Sequence, residues 1–374
     1  MKLRNTFLTL LAGTIVFCSC SDDEDHAVLP VLNSSGLDKT ELELNLGESL
    51  TISPKLNTDD VEYQWVVNEE VLSREANYTF KAEEIGDYNI KFSATNGSGS
   101  VDCNYQLAVI KFRTATEESS AYLTTVFEYK PAPSDLTGID RFMDFNSIIG
   151  NNNNSLDLGA WGGYVIAGFD HTISNREGKE IVVFSDIFDG ASEPAIVVVS
   201  FDSNGNNKPD DEWFELAGSE YYAEKTIHNY EITYTNPHGK KDIPWEDNQG
   251  ETGSLIMFSE SEYYPNFIPE QESVVFKGTK LETKASPTYN HPIYGFFPWK
   301  PAREWGYASN YSEEYLIFNG NTFDIDWAVD NEGKKVTLPG VDFIKIYTAE
   351  NANVGWKAIT AASIKSVADL SLIE

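Results

Sequence analysis

The segment Glu180–Tyr222 constrains the fold more than any other part of the sequence. It contains two short runs rich in Val and Ile, Glu180–Phe184 and Ala195–Phe201, and then a polar loop that leads into Trp213–Leu216. Runs of about four to eight apolar residues bounded by turn residues are typical of buried strands, because amphipathic helices need longer segments. We therefore predict that Ala195–Phe201 is a strand buried on both faces and that Trp213–Leu216 returns beside it.

The polar loop between these two strands carries oxygen-bearing side chains at nearly every second position. Two turn signals, Asn204-Gly205 and Lys208-Pro209, lie inside it. Calcium takes about six to eight oxygen ligands, which a turning backbone can bring together, so one structural Ca²⁺ is a candidate ligand. The alternative is a hairpin loop built from turn-forming residues, and the sequence leaves both open. The predicted ligands are Asp202, Asn204, Asn206, the Lys208 carbonyl, Asp210 and either Glu212 or Asp211.

Residues 31–111 have the strand spacing of a small β-sandwich. Glu41–Leu46 alternates polar and apolar residues, as a half-buried strand does. Trp65 lies in the middle of a strand-like run, where an immunoglobulin-like domain has its core Trp, and Ile85–Tyr88 matches a tyrosine corner. We predict an immunoglobulin-like or PKD-like module that acts as a spacer.

Residues 120–374 form a larger domain that is also predicted to be all β. Strand candidates follow one another closely with Gly-rich turns between them, which indicates a β-sandwich or jelly-roll-like fold. One short helix is predicted near Ala361–Val367. The predicted strands are Tyr122–Tyr129, Gly163–Phe169, Glu180–Phe184, Ala195–Phe201, Glu212–Leu216, Ile227–Tyr234, Ser254–Met257, Ser273–Lys277, Phe323–Ala328, Val341–Tyr347 and Leu370–Ile373.

Residues 1–19 are predicted to be a bacterial lipoprotein signal. Basic residues precede an apolar core, Phe7–Phe17, that is too short to span a bilayer. Ser19 precedes Cys20, and a small residue before a cysteine suits lipoprotein processing, so Cys20 is the predicted lipidation site. Residues 20–30 would form an acidic tether. An acidic run directly after the lipidated Cys resembles the signal that sends Bacteroidetes lipoproteins to the outer cell surface.

Cysteine content and charge limit the partners of the chain. Of its three Cys residues only Cys103 remains free after the signal is removed and Cys20 is lipidated, which argues against a disulfide scaffold. Cys103 is predicted to be a small buried residue. The formal net charge of −32 repels nucleic acid and anionic lipid headgroups. We therefore expect the membrane to be contacted through the lipid anchor only.

No catalytic motif stands out in the sequence. It lacks GxSxG, HExxH and CxxC, so a hydrolase or a zinc site has no motif to support it. His171 follows Gly168-Phe169-Asp170 at a strand end, where a structural hydrogen bond is expected. With 59 acidic residues, no carboxylate pair by itself indicates glycoside hydrolysis. We predict that the protein is not an enzyme.

Aromatic residues cluster in two segments of the larger domain, Tyr263–Phe267 and Tyr289–Tyr307. Prolines in the second segment are expected to prevent a regular strand or helix there. Ordering a loop of this length costs conformational entropy, so we expect part of it to bind a ligand. The other rings would cap the core of the sandwich.

The larger domain also carries a set of short motifs: Leu158–Gly163, Gly168–His171, Glu193-Pro194, Asp202–Trp213, Glu215–Glu220, Tyr263–Pro265, Trp305–Tyr307 and Phe323–Ile325. Together they resemble Bacteroidetes cell-surface lipoproteins encoded beside vitamin B12 uptake genes, which include a cobalamin-binding class. The resemblance covers about residues 120–374. It implies a lipid-anchored outer-membrane protein that binds cobalamin at the cell surface and passes it to a TonB-dependent transporter.

Cobalamin would need rings to pack against its corrin edge and polar groups to satisfy its amide side chains. The alternative function is that of a carbohydrate-binding lipoprotein or a glycan-acting enzyme with a calcium-stabilised jelly roll. Exposed Trp and Tyr suit sugar rings as well as a corrin, so the sequence does not separate these two functions. The predicted contacts are Tyr264, Tyr294, Phe297, Trp299 and Trp305 for packing, and Asn290 and Arg303 for polar groups.

Overall fold

The computed structural model describes residues 27–134, 144–151, 154–256, 272–291, 295–352 and 359–373, without the side chains of residues 287–291 and 295–297. The predicted signal, Cys20 and most of the acidic tether lie outside these residues. The chain divides into two compact units, Met1–Val109 and Ile110–Glu374. Within the described ranges, no helix is long and apolar enough to cross a membrane.

The first unit consists of short strands joined by tight turns. Its strands are β1 Leu32–Ser34, β2 Glu41–Asn45, β3 Ser49–Ile52, β4 Lys55–Leu56, β5 Glu62–Val67, β6 Glu70–Ser73, β7 Tyr78–Lys81, β8 Gly86–Asn96 and β9 Gly99–Ile110. Five of them form an antiparallel sheet with the order β2-β9-β8-β5-β6, while β3 pairs with β7 and β1 with β4.

The core of the first unit contains the predicted Trp and tyrosine corner. Trp65 is fully buried, and its ring lies 4.8 Å from that of Phe92. The hydroxyl of Tyr88 donates a hydrogen bond to the backbone oxygen of Glu84 at 2.9 Å, which fixes the chain ahead of β8. Both predictions are confirmed. Cys103 packs against this core but is only half-buried.

The second unit is also built almost entirely of strands. They are β10 Thr125–Lys130, β11 Leu156–Asp157, β12 Tyr164–Ser174, β13 Ile181–Phe184, β14 Ala195–Ser200, β15 Trp213–Leu216, β16 Ile227–Thr235, β17 Ile243–Asp247, β18 Thr252–Leu255, β19 Ser273–Lys280, β20 Ser286–His291, β21 Gly295–Trp299, β22 Gly320–Phe323, β23 Ala328–Val329, β24 Gly340–Thr348, β25 Ser363–Ile364 and β26 Ser366–Asp369. The helical elements are α1 Glu313–Phe318 and the 3₁₀ turns Phe145–Ile148, Ile325–Trp327 and Leu370–Leu372.

Two sheets enclose the main core of the second unit. One has the order β10-β12-β24-β14-β15-β23 and the other the order β22-β13-β26. In the larger sheet Ile346 of β24 pairs with Val165 on one side and Val197 on the other, and all three are buried. β15 returns beside β14 as predicted. An all-β chain with an immunoglobulin-like module followed by a larger β-sandwich domain is thus confirmed.

A third sheet, with the order β18-β17-β16-β19, covers a second core. Tyr230, Ile232 and Tyr234 alternate along β16 and are fully buried. The ring of Trp161 packs edge-on against Tyr230 at 4.6 Å. The strict alternation along β16 therefore buries one face of this strand, as its sequence pattern predicts.

The prediction of a helix near Ala361–Val367 is wrong. This segment forms β25 and β26, which pair with β11 and β13. Its Ala content favours a helix, but pairing with buried neighbouring strands outweighs that local preference. Leu370–Ile373 is not a strand either, because most of it is a 3₁₀ turn capped by Asp369. The predicted strand Phe323–Ala328 is likewise interrupted by the turn Ile325–Trp327.

The prediction that prolines prevent strands between residues 287 and 301 is also wrong. β20 and β21 form a two-stranded hairpin that contains Pro287 and Pro298. In a two-stranded sheet each strand keeps one free edge, so a residue without an N–H is tolerated there. The register also shifts between Ser286 and Tyr289, the stretch that contains Pro287.

No pattern in the sequence predicts α1, which is a single short helix. Glu313 and Glu314 occupy its first turn, where carboxylates interact favourably with the helix dipole. Asn319 ends it in the left-handed conformation with φ of 53°, and its N–H bonds the carbonyl of Tyr315. A helix this short has too few residues to produce a detectable period in the sequence.

His171 has the structural role that the sequence suggests, because two carboxylates hold its buried ring. Nδ1 lies 2.8 Å from Asp170 Oδ1, and Nε2 lies 3.1 Å from Asp369 Oδ2. Burial lowers the pKa of His171, but the two carboxylates outweigh burial and raise its pKa above the ordinary value. The imidazole ring thus ties β12 to the end of β26.

Arg303 holds the segment between β21 and α1 against the interior of the second unit. Its side chain is fully buried and forms ion pairs with Glu350 and, at 3.2 Å, with Glu220. It also donates to the backbone oxygen of Glu282 at 2.7 Å. Asn310 closes the segment with bonds to the N–H of Arg303 at 2.7 Å and to its carbonyl at 2.9 Å.

We expect replacement of His171 by Gln to reduce stability more at acidic than at alkaline pH. The pKa of His171 is higher in the folded than in the unfolded protein, so binding a proton stabilises the folded state. This contribution to the free energy of unfolding is complete below the unfolded pKa of about 6.5 and is lost as pH rises through the folded pKa. Urea unfolding between about pH 6 and pH 9 measures the effect, with the exposed His238→Gln as control. A His171 difference that stays constant over this range would contradict the prediction.

We expect Arg303→Met to destabilise the second unit by about 3–5 kcal/mol, since it leaves buried Glu350 without a counter-charge. Thermal unfolding measures the change, and Arg176→Met at an exposed position is the control. Adding Glu350→Gln to the Arg303 variant should restore part of the loss, because the uncompensated charge is then removed. A single variant within about 1 kcal/mol of the wild type would refute this role.

Candidate functional site

An open groove of about 850 Å³ lies between the segment after β21, the first turn of α1 and the 3₁₀ turn after β22. We call it the Trp305 groove. Its size suits a ligand of several rings. The lining residues are Lys179, Ala302, Arg303, Glu304, Trp305, Tyr311, Ser312, Glu313, Glu314 and Trp327.

Two indole rings form the apolar part of the Trp305 groove. Trp305 and Trp327 lie 4.6 Å apart between ring centroids, with their planes inclined by 51°. Trp305 is 37% exposed, and Trp327 is half-buried against Phe323 at 6.4 Å. The inner ring therefore supports the outer one, and the pair offers a ligand a fixed aromatic surface.

The backbone position of Trp305 is set by a close contact between two glycines. Gly306 has φ of +81°, and a Cβ on it would lie 2.5 Å from the Cα of Gly218. The N–H of Ser219 donates to the carbonyl of Trp305 at 3.1 Å. Any side chain at position 306 would push these segments apart, so the glycine keeps Trp305 beside Trp327.

The 3₁₀ turn Ile325–Trp327 holds the second indole. The carboxylate of Asp324 caps this turn by accepting the N–H of Asp326 at 2.8 Å. The carbonyl of Trp327 accepts the N–H of Ala217 at 3.0 Å, which attaches the turn to the end of β15. Both indoles are thus held by backbone bonds to the same short segment, residues 217–219.

Charged side chains form the rim of the Trp305 groove. Lys179 pairs with Glu314, and its ammonium lies 5.3 Å from the centroid of the Trp327 ring. Burial lowers the pKa of Lys179, and Asp324 partly offsets this effect. Glu304 and Glu313 are exposed. The rim therefore supplies carboxylate acceptors beside an aromatic surface, an arrangement suited to binding a ligand with many hydroxyl or amide donors.

Two of the seven predicted ligand contacts, Trp305 and Arg303, are found in this groove. Trp305 and Arg303 line it, but the guanidinium of Arg303 is buried and engaged by carboxylates. Trp299 ends β21 and is not among the lining residues. Tyr264 and Tyr294 lie outside the described residues, and for Asn290 and Phe297 only the backbone is described, in β20 and β21. Ligand contact by these residues stays a prediction.

Sequence reasoning missed Trp327 and Lys179. Lys179 lies far from the aromatic segments along the chain, and the pairing of β13 with β22 brings it to Trp327, which follows β22. The Asp-x-Asp pattern at Asp324 and Asp326 is typical of a capped turn. It could have indicated that Trp327 lies in a turn and not in a strand.

The loop between β14 and β15 brings its predicted calcium ligands close together. Asp202 accepts the N–H groups of Asn206 at 3.0 Å and Asn207 at 2.9 Å, one on each carboxylate oxygen. The amide nitrogens of Asn204 and Asn206 lie 3.1 and 3.0 Å from Asp210 Oδ1. Asn207, with φ of 57°, makes the sharp turn for which an EF-hand loop has Gly.

The remaining predicted ligands of this loop play different parts. The Lys208 carbonyl accepts the N–H of Asp210 at 2.9 Å. Asp211 bonds Asn204 and Ser203, whereas Glu212 is exposed. Among the described residues, no cluster of three or more His, Cys, Asp or Glu side chains is arranged as a metal site.

A buried carboxylate, Asp342, attaches the base of this loop to the sheet. It accepts the N–H of Asp202 at 2.8 Å and the hydroxyl of Thr172 at 2.6 Å. Arg113, just after the first unit, pairs with it at 2.7 Å. Lys111 donates to the carbonyl of Gly205 at 3.2 Å. The start of the second unit and the polar loop are therefore held by one network of charged hydrogen bonds.

Residues 36–96 match the family model of a PKD-like domain. A search of curated proteins finds no match to the chain. Among solved structures, a SusE-like protein is 9% identical over 91% of this chain and 96% of its own, with a TM-score of 0.25. A structure described as one of the carbohydrate-binding modules from the β-sandwich superfamily is 10% identical over 91% and 97%, with a TM-score of 0.23.

A quinonprotein alcohol dehydrogenase-like protein from Bacteroides thetaiotaomicron is 12% identical over 62% of this chain, with a TM-score of 0.21. This chain spans 50% of the length of that protein. The N-terminal module is PKD-like, and the described residues fold almost entirely into β-structure.

Proposed function

We propose that the chain is a surface-exposed protein that binds neutral glycans in the Trp305 groove. The observation that carries this proposal is the supported indole pair, in which Trp305 is 37% exposed and lies 4.6 Å from Trp327. A partly exposed indole packs against the apolar face of a sugar ring.

The charges around the groove favour a ligand without negative charge. Glu304, Glu313 and Glu314 face one partly buried ammonium, that of Lys179, while Arg303 is neutralised below the surface. Carboxylates accept hydrogen bonds from sugar hydroxyls, and this satisfies the polar groups of both partners when water is displaced. The net charge of −32 adds a field that repels anions. A neutral oligosaccharide meets both conditions.

Cobalamin is the second candidate ligand. It too carries little net charge and offers an apolar edge and amide donors, so Trp305 and the carboxylate rim would serve it as well. The resemblance described above is the reason to test it. Of its other predicted contacts, Trp299 does not line the groove, and the guanidinium of Arg303 is already paired with Glu350 below it.

The proposed location is the outer cell surface, with the chain anchored through a lipid on Cys20. In this arrangement the PKD-like module is a spacer and the second unit carries the binding site. Transfer of a bound ligand to a TonB-dependent transporter is part of the same proposal. We further propose that the protein acts by binding alone and not as an enzyme, since its sequence has no catalytic motif.

We also propose that the loop between β14 and β15 binds one structural Ca²⁺. Asp202, Asn204, Asn206 and Asp210 bring hard oxygen donors together in one loop, and the Lys208 carbonyl points into the same turn region through its bond with Asp210. Oxygen donors of this type are the ones calcium prefers. Burial raises the pKa of Asp211, and the charges of Asp202 and Asp210 raise it further. The ion would offset this repulsion between the carboxylates of the loop.

We expect Trp305→Ala to weaken glycan binding by about 2 kcal/mol or more, as loss of an aromatic anchor does. Calorimetry of the mature chain against a panel of neutral oligosaccharides and cyanocobalamin measures this. Tyr222→Ala, at another exposed aromatic, is the control and should bind normally. Full affinity in a folded Trp305 variant would refute the groove as the site. Binding of cyanocobalamin alone, sensitive to Trp305, would favour the second candidate.

We expect Ca²⁺ to raise the melting temperature of the wild type, since a ligand at about 100 times its Kd adds about 2.7 kcal/mol. Asp210→Asn should abolish this response, because it removes a charged predicted ligand of the ion. The described side-chain hydrogen bonds of Asp210 all come from the amides of Asn204 and Asn206 in the same loop, so the variant should still fold. Glu224→Gln, exposed and outside the loop, should keep it. A wild type whose melting temperature is the same with calcium and with chelator would exclude the site.

A further inference from the structure

A row of side chains crosses the face of the six-stranded sheet that is turned away from the main core. Ile166 pairs with Lys345, Lys345 with Val198, Val198 with Glu215, and Glu215 with Val329. Paired residues on adjacent strands share a face, and neighbouring strands lie about 4.8 Å apart. The backbone positions of Lys345 and Glu215 are therefore two strands, or about 10 Å, apart, with Val198 of β14 between them.

This row forms the floor of a cleft of about 250 Å³, which we call the Lys345 cleft. It shares no lining residue with the Trp305 groove. The cleft is lined by Ile166, Val198, Trp213, Glu215, Tyr221, His228, Asn229, Lys277, Gly278, Thr279, Val329, Asp330, Asn331, Lys345 and Tyr347.

Lys345 is the unusual group in this cleft. Its ammonium lies 4.3 Å from the ring centroid of Tyr164 and 5.9 Å from that of Tyr347. The side chain is half-buried, and no carboxylate of a described residue forms an ion pair with it. The nearby carboxylate of Glu128 instead accepts the hydroxyl of Tyr164 at 2.6 Å. Burial lowers the pKa of Lys345, and the charge of Glu128 only partly offsets this, so an anion that joins the ammonium would compensate its desolvation.

Opposite Lys345 the cleft offers groups that bind hydroxyls. Thr279 donates to Glu215 Oε2 at 2.6 Å, and His228 Nδ1 lies 3.3 Å from the same threonine hydroxyl. Burial raises the pKa of Glu215 to about 7, so near neutral pH its carboxyl is present in both the protonated and the charged form. Protonated, it donates as well as accepts hydrogen bonds, and it does not repel an anion.

Apolar surfaces lie between these two polar ends. Val198 and Ile166 form the floor, and Trp213 and Tyr221 lie at the side of Glu215. A small ring with one face free of polar groups would pack on this floor while its substituents reach Lys345 on one side and Glu215 on the other. The arrangement thus combines a cation, an apolar floor and a set of hydroxyl-binding groups in a space sized for one sugar ring.

We propose that the Lys345 cleft is a second binding site that takes a uronic acid residue, with the sugar carboxylate on Lys345 and its hydroxyls on Glu215, Thr279 and His228. The long-range field of this acidic chain opposes anions, so the ammonium must supply the local attraction. An ammonium–carboxylate contact is a charge-assisted hydrogen bond, about twice as strong as a neutral one. The site is independent of the neutral-glycan groove.

Calorimetry of the mature chain with glucuronate, glucose and acetate tests this proposal. We expect glucuronate to bind at least about tenfold more tightly than glucose, which lacks the carboxylate, and than acetate, which lacks the ring. Equal binding of glucuronate and glucose would overturn the role of the ammonium. Acetate binding as tight as that of glucuronate would overturn the sugar as ligand, and so would no detectable glucuronate binding at millimolar concentration.

Two matched variants locate the site. Lys345→Met keeps the length of the side chain without its charge and should lower glucuronate affinity at least about tenfold, whereas Lys345→Arg should retain most of it. Lys81→Met removes an exposed lysine that pairs with Glu83 and does not line the cleft, and it should have no effect. Melting temperatures show whether each variant is folded. Unchanged glucuronate affinity in folded Lys345→Met would refute the assignment, and if that variant does not fold, the comparison of the three ligands on the wild type still decides.

Discussion

The pairing register of β24 is the constraint on which the second unit depends. This strand lies between β12 and β14, and its alternate residues face opposite sides of the sheet. Ile344 and Ile346 enter the main core, while Lys345 and Tyr347 face the cleft. A slip of one residue would bury the lysine in the core and expose both isoleucines, so the apolar pattern specifies the register strongly. Core and cleft are thus two consequences of one alignment.

Buried charges then attach the irregular segments to this framework. Asp342, also on β24, binds Arg113 and the base of the polar loop, and Arg303 joins Glu220 and Glu350 below the Trp305 groove. Breaking such a pair leaves a desolvated charge behind, so each segment is held in one position. The loops held by these pairs therefore have a defined geometry before a ligand binds. A binding protein gains from this because less conformational entropy is lost on binding.

Most strands of the second unit could be predicted because their apolar runs are local and strong. Ala195–Ser200 and Ile227–Thr235 are examples, and so is the return strand Trp213–Leu216. The failures occur where long-range pairing overrides local preference, as in β25 and β26, or where a free edge tolerates proline, as in β20 and β21. The candidate site was only half predicted. Trp305 stands out as an aromatic in a loop, whereas its partner Trp327 lies in a segment expected to be a strand.

The amino-acid sequence by itself determines the all-β class, the PKD-like module and the close spacing of oxygen donors in the loop after β14, because each depends on residues near one another along the chain. Only the tertiary structure decides that Trp305 meets Trp327 and that Lys345 lies opposite Glu215. These contacts follow from strand order, register and a backbone approach that only glycine permits at position 306. Such features depend on the free energy of the whole packed unit, and no local pattern of residues encodes them.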